Sequence, residues 1–277
     1  MSKTIIDGYS GSKLYKQDFY ITNGYDYILS KKITEYDIKS AGLNLCKYYN
    51  LLPNDEIKRL EELSKKQRQI AIGKLMRDDK EFNEKCTKSF KHMRKMFFRA
   101  NKLVDDDILS IKKDAIFIVS KKCKKCKFEN VEFVEKNVYT SYHKFGNIEL
   151  YYNSKTNILD VKGINNDLLY QHTSFINILK RIFRMLENNN VQEFTKFMLR
   201  FVDDYKNKRL SYDYYREFNA NSMYSLINTN SVSNYVITVP NMDQTIDGNL
   251  DISYNYINYI LPIIQRFYFN NIGKKGR

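Results

Sequence analysis

The sequence predicts an α+β fold: a small antiparallel sheet with packed helices, followed by a mainly helical C-terminal region. Three observations carry this. Hydrophobic residues make up 43% of 277 residues, enough to bury a full core. β-Branched runs broken by charged or Gly/Asn turns fill much of residues 108–162. Apolar residues recur at threes and fours before that stretch and again after it. The change of pattern near residue 166 divides the chain into an α+β part, 1–165, and a helical part, 166–277.

Taken in order, the first 32 residues hold Gly8, Gly11 and Gly24 among tyrosines and read as irregular structure with short strands. "KKITEYDI" is a buried strand that runs straight into "KSAGLNLCKYYNLL", a helix stopped by Pro53. Asn54 or Asp55 caps the next helix. Ile57, Leu60, Leu63, Ile70 and Leu75, then Phe90, Met93 and Phe97, make about 55–103 helical, with a break near "RDDKEFN". "ILSIKKDAIFIV" reads as a hairpin with Lys112, Lys113 and Asp114 at or near its turn. Strands continue to "NILDVKGI". Helical spacing then returns in "DLLYQHTSFINILKRIFRMLENNN", "VQEFTKFMLRFVDDYKN" and "SYDYYREFNANSMYSLIN". A strand-like "NYVITVP" precedes a last helix, "SYNYINYILPIIQRFYFNN".

The formal charge of +14 favours polyanionic partners, nucleic acid and nucleotides foremost. The start, "MSKTIIDGYS", lacks the apolar core of a signal peptide, and no apolar run approaches the ~18 residues of a membrane span. The expected compartment is therefore the cytoplasm, that of a host cell if the protein is viral, with free thiols. "KCKKCK" sets Cys123 and Cys126 at a CxxC spacing suited to zinc. No second CxxC follows, and only Cys86 and His143 offer further ligands; the competing reading is a lysine-rich hairpin tip that carries two thiols. His92, His143 and His172 are scattered, which argues against a histidine-based metal hydrolase. There is no P-loop, no GxGxxG after a strand, and no nucleophile with an evident base.

Asp37, at the end of a strand before a helix, and Asp114, on a hairpin, are the candidate catalytic pair. Two carboxylates on neighbouring strands, about 4.8 Å apart, suit a pair of divalent ions. "YDIKSAGLNL" resembles motif A of palm-type nucleic-acid polymerases, and "ILSIKKDAIFIV" resembles their motif C, across roughly residues 30–165. The similarity extends to phage single-subunit RNA polymerases and to family A and B DNA polymerases. It implies a palm-like sheet and a two-metal nucleotidyltransferase, with Mg²⁺ or Mn²⁺ held by Asp37 and Asp114. It places Ile38, Lys39, Ser40 and Gly42 under the incoming nucleoside triphosphate. Arg68 and Lys74 are further nucleotide-binding candidates, and Lys91 and Arg94 on the intervening helices candidates for nucleic acid. "NILDVKGI" is similar to the Lys-Gly segment after motif C in family B, which suggests that Lys162 touches a primer or template phosphate. Gly42 stands where DNA polymerases carry a bulky residue against the ribose 2′-OH, so ribonucleotides should be tolerated. The sequence departs from the pattern at motif C, where Lys112 and Lys113 precede Asp114 and no second acid follows, and the helices between the motifs lack a Tyr-Gly pair.

Two other readings stand beside this one. A non-catalytic nucleic-acid-binding accessory protein of replication or transcription would use the charge and the 23 tyrosines for phosphate contacts and stacking. A polymerase-like subunit would act through protein partners, docking with its Tyr-rich C-terminal part.

Overall fold

The computed structural model describes residues 11–163, 173–207 and 209–210. The expected "SYDYYREFNANSMYSLIN" helix, the "NYVITVP" strand and the final helix lie outside the described residues. The fold is α+β, with two antiparallel sheets and six α-helices among the described residues.

The chain divides into two compact units. The first takes in Lys32–Val138 with the segment up to Gly24. Its sheet contains β1 (Phe19–Ile21), β3 (Ile33–Ile38), β4 (Ile108–Lys112), β5 (Ala115–Val119), β6 (Lys127–Phe128) and β7 (Val131–Tyr139), in the order β1-β4-β5-β3-β7-β6. β4 and β5 form the expected hairpin, turning at Lys113 and Asp114. β3 lies between β5 and β7 and pairs Tyr36 with Ile116 and Asp37 with Ala115.

Alternate strand residues share a face. Tyr36, Ile38, Ile116 and Ile118 therefore point to one side, where they form a single core with Ala41, Leu45, Phe90, Met93, Phe97 and Phe98 of the helices. Glu35 and Asp37 project from the other side of β3.

The helices are α1 (Ala41–Tyr49), α2 (Asn54–Glu62), α3 (Lys65–Asp78) and α4 (Lys80–Ala100). Pro53 does not stop α1: the helix ends at Asn50, whose φ of 49° makes a left-handed cap. Pro53 is instead the N-cap of α2, with no side-chain bond, so Asn54 is the first helical residue rather than the cap. The 55–103 stretch holds three helices, not two. The extra break falls at Ser64, which forms a capping box with Gln67, and the expected one at Asp79, which accepts from the Phe82 N–H.

The second unit joins Tyr25–Lys31 to the chain from Tyr139 onward. Its sheet runs β10 (Ile158–Lys162), β9 (Ile148–Asn153), β8 (Ser141–Phe145), β2 (Tyr27–Ile28), followed by α5 (Thr173–Glu187) and α6 (Val191–Lys206). Tyr152 of β9 stacks on Phe183 of α5 with ring centroids 5.1 Å apart. The change of pattern near residue 166 marks the passage from strand to helix inside this unit.

Candidate active site

β3 and the β4–β5 hairpin bring the two aspartates together. Asp37 pairs with Ala115, the residue next to Asp114 in the turn. Burial, and after it the negative charge of Asp37, hold the Asp114 carboxyl above the usual carboxylate range. Oδ1 of Asp37 is buried and has no hydrogen-bond partner, while Oδ2 accepts from Lys136 Nζ at 3.0 Å. An orphaned carboxylate oxygen beside a second carboxylate fits a divalent cation, which prefers such hard oxygen donors. Among the described residues no group of three or more His, Cys, Asp or Glu side chains is placed to hold a metal ion. Among the described residues, Asp37 and Asp114 are thus the carboxylates available to such an ion.

Backbone strain flanks both aspartates. Ser40, the N-cap of α1, has φ 46°, and Lys113, in the hairpin turn, has φ 59°. Left-handed backbone at a non-glycine residue costs about 1–2 kcal/mol and needs surrounding bonds to persist. At Lys113 those bonds are present: its N–H donates to Asp18 O at 2.7 Å, and its carbonyl accepts from Arg94 Nη1. Arg94 is fully buried and also donates to Tyr15 O and to Asp18 Oδ1.

This corrects the expectation for Arg94. The residue does not reach solvent to meet nucleic acid; it braces the turn that carries Asp114. Burial pulls its guanidinium below the ordinary value, and Asp18 opposes the shift. Lys91 pairs with the same Asp18 at 3.3 Å.

Beside Asp114 lies a cavity of about 190 Å³, lined by Ser40, Ala41, Gly42 and Leu43 of the α1 start, by Lys65, Arg68 and Ile72 of α3, and by Lys113. The first N–H groups of a helix have no intrahelical partners and favour anions, and Lys65, Arg68 and Lys113 add positive charge. Arg68 lines the cavity with part of its donors already used: Nε and Nη2 bond the Leu60 and Leu63 carbonyls at the end of α2. Lys74 is exposed and does not line the cavity; Lys65 and Lys113 supply the charge instead. Ile38 is buried at the end of β3, and Lys39 donates its N–H to Glu132 O of β7. Lys162 belongs to the second unit, on β10, 3.9 Å from Asp160.

Gly42 lines the cavity, but the space its side chain would take is not open. A Cβ there would stand 2.9 Å from Ile72 Cδ1, so glycine serves the close packing of α1 on α3. Among the described residues the thiols belong to no group of three or more metal-ligating side chains. Cys126 Sγ donates to Cys123 O at 3.5 Å, and burial pushes the Cys123 thiol up to about 12.

Two residues around Asp37, besides Lys65 and Lys113 of the cavity, escaped the sequence reading. Glu35, two positions before Asp37 and therefore on the same face of β3, is buried and accepts from Asn137 at 2.6 Å. Lys136 bridges Glu35 Oε1 at 3.6 Å and Asp37 Oδ2 at 3.0 Å. Strand alternation could have flagged Glu35; nothing local could have flagged Lys136, which arrives from β7 through sheet pairing.

Among the described residues no helix is long and apolar enough to cross a membrane. No curated protein matches the sequence. A model of the bacteriophage PBS1 gene 130 protein family matches residues 10–268. With nearly the whole sequence so covered, from before β1 to beyond α6, the chain belongs to the bacteriophage PBS1 gene 130 protein family.

Proposed function

We propose that this phage-family protein is a metal-dependent nucleotidyltransferase resembling a minimal or split nucleic-acid polymerase, which adds nucleotides to a 3′ end. The observation that carries the reading is the meeting of Asp37 and Asp114 at adjoining register positions, next to a cavity lined by a helix N-terminus and basic side chains. Asp37, through its orphaned Oδ1, and Asp114 would hold Mg²⁺ or Mn²⁺. Such ions, when bound, activate an attacking hydroxyl and neutralise a leaving phosphate. The α1 N–H groups with Lys65 and Lys113 would bind the phosphate chain, and Arg68 would fix the α2–α3 corner around it. Lys136 orients the Asp37 carboxylate through its hydrogen bond to Oδ2.

The reading includes tolerance of ribonucleotides, since residue 42 carries no side chain. Because Ile72 fills that space, Gly42→Tyr alone would test packing as much as sugar choice. The informative variant pairs Gly42→Tyr with Ile72→Ala, and it should depress ribonucleotide use more than deoxyribonucleotide use.

The main test is nucleotide incorporation with Asp37→Asn and Asp114→Asn. Each should lose more than about 100-fold in rate with the fold intact, since even groups that only support metal ligands contribute about 10–100-fold. Undiminished incorporation in either variant would remove the catalytic assignment. One observation favours the second reading: the Lys136 ammonium already neutralises Asp37, as in a site that has given up its cation. That reading, a nucleic-acid-binding accessory protein, expects binding that is indifferent to both substitutions and a wild type without transfer activity.

A further inference from the structure

The lysine-rich segment that leads from β5 into Lys127, the first residue of β6, has no part in the site just described. Lys122, Lys124, Lys125 and Lys127 are all exposed, and Cys123 between them is buried. Among the described residues none of these four ammonium groups has a carboxylate within ion-pair distance. A run of lysines is ordinarily a mobile, solvated loop, but this one is bolted down. Asn101, the C-cap of α4, accepts from the N–H groups of Lys124 and Lys125, both at 3.0 Å, and donates to the Lys125 carbonyl at 2.8 Å. The Cys123 N–H donates to the buried phenol of Tyr36, the neighbour of Asp37 on β3. Lys121 fixes the entry by bonding Lys102 O at 2.7 Å and Asp107 at 2.8 Å.

Four like charges held in one fixed segment repel one another, and a polyanion laid across them relieves that repulsion. From this we infer that the Lys122–Lys127 loop is a docking surface for the phosphate backbone of nucleic acid. A rigid array of point charges suits a polymer whose phosphates recur at regular intervals. A fluid anionic bilayer requires no fixed array, and the loop offers no exposed large apolar side chain to insert into one. The two cysteines thus act as inward anchors that turn the lysines outward. The inference rests on nucleic acid as partner, not on catalysis.

The test measures binding of a labelled single-stranded oligonucleotide and of the matching duplex across a salt series, in chelator so that transfer is silent. Four neutralised lysines, Lys122, Lys124, Lys125 and Lys127→Gln, should lower the slope of log affinity against log salt by ~3 for the single strand and ~4 for the duplex. The same charge removed at Lys58, Lys66, Lys80 and Lys88, also exposed, should change the slope far less. Asn101→Ala keeps every charge but frees the loop, and should weaken binding several-fold with the slope retained. Equal losses in the two quadruple variants would overturn the loop assignment while leaving nucleic-acid binding standing. Loss of binding to phosphatidylserine vesicles with oligonucleotide binding unchanged would overturn it in favour of a membrane. A wild type that binds neither oligonucleotide would overturn both the loop and the choice of nucleic acid as partner.

Discussion

Asp114 is held in a form that works against stability. Burial and the neighbouring Asp37 raise its folded pKa above the ordinary 3.8, so the folded chain retains a proton that the unfolded chain releases. The stability linked to this group is full below 3.8 and is lost as pH rises through the raised value. Replacing the carboxyl with a neutral amide should therefore raise the melting temperature of Asp114→Asn above wild type at neutral pH. The gain should vanish in acid below the ordinary carboxylate range. Added Mg²⁺ should raise the melting temperature of the wild type and leave the variant unmoved. Thermal melts over pH and Mg²⁺ check all three outcomes; a variant that melts lower at neutral pH would mean that Asp114 is a structural turn residue.

Among the elements, β7 supplies the charge that offsets this arrangement. Burial alone would lower the Lys136 ammonium, but its hydrogen bond to Asp37 and the charge of Glu35 outweigh burial and hold it above its ordinary value. Lys136 in turn lowers Asp114. In Lys136→Met that help is gone, so Asp114 should ionise only at higher pH, and the acid limb of a pH–rate profile for nucleotide transfer should move upward. An unmoved limb would separate Lys136 from the site. The packing of α1 on α3 gives a second element-scale outcome. Gly42→Ala gains up to about 1 kcal/mol of helix propensity but meets Ile72 Cδ1 at 2.9 Å. Ile72→Val removes that methyl at a cost of about 0.5–1.5 kcal/mol. The double variant should be more stable than the sum of the singles predicts, by about 1 kcal/mol in a denaturation cycle. Additive behaviour would mean that the two side chains do not meet.

For the whole molecule, the charge of +14 has a direct consequence. Affinity for nucleic acid should fall steeply with salt, the log–log slope steepening by roughly one unit for each phosphate contacted. A flat titration would count against both the polymerase and the accessory readings. The excess charge is not spread evenly through paired residues. Lys91, Arg94 and Lys136 are committed to Asp18, Glu35 and Asp37, whereas Lys122, Lys124, Lys125 and Lys127 make no ion pair among the described residues. Net charge is a sum over the chain, so it indicates the class of partner but not the surface that meets it.

By itself the sequence determined many of the described elements and picked out the two aspartates that meet at β3 and the β4–β5 turn. β-Branched alternation placed β3 and the β4–β5 hairpin, and spacing at threes and fours placed α3 and α4, because these signals come from residues within one turn or one pleat of each other. Glu35 was legible by the same rule of alternation. Helix ends were less so: Asn50 closes α1 by adopting a left-handed backbone, a choice that competes with the more visible Pro53. The roles of the basic residues were decided only by tertiary structure. Arg94 and Lys91 lie on the same strongly periodic helix, yet one is sealed in the core as a brace and the other is half exposed. Lys136 reaches Asp37 across 99 residues of sequence, and Ile72 reaches Gly42 through the corner between α2 and α3. Such pairings depend on which elements pack together. Burial, hydrogen-bond partners and electrostatic neighbours are properties of that packing, and no local period of the chain encodes them.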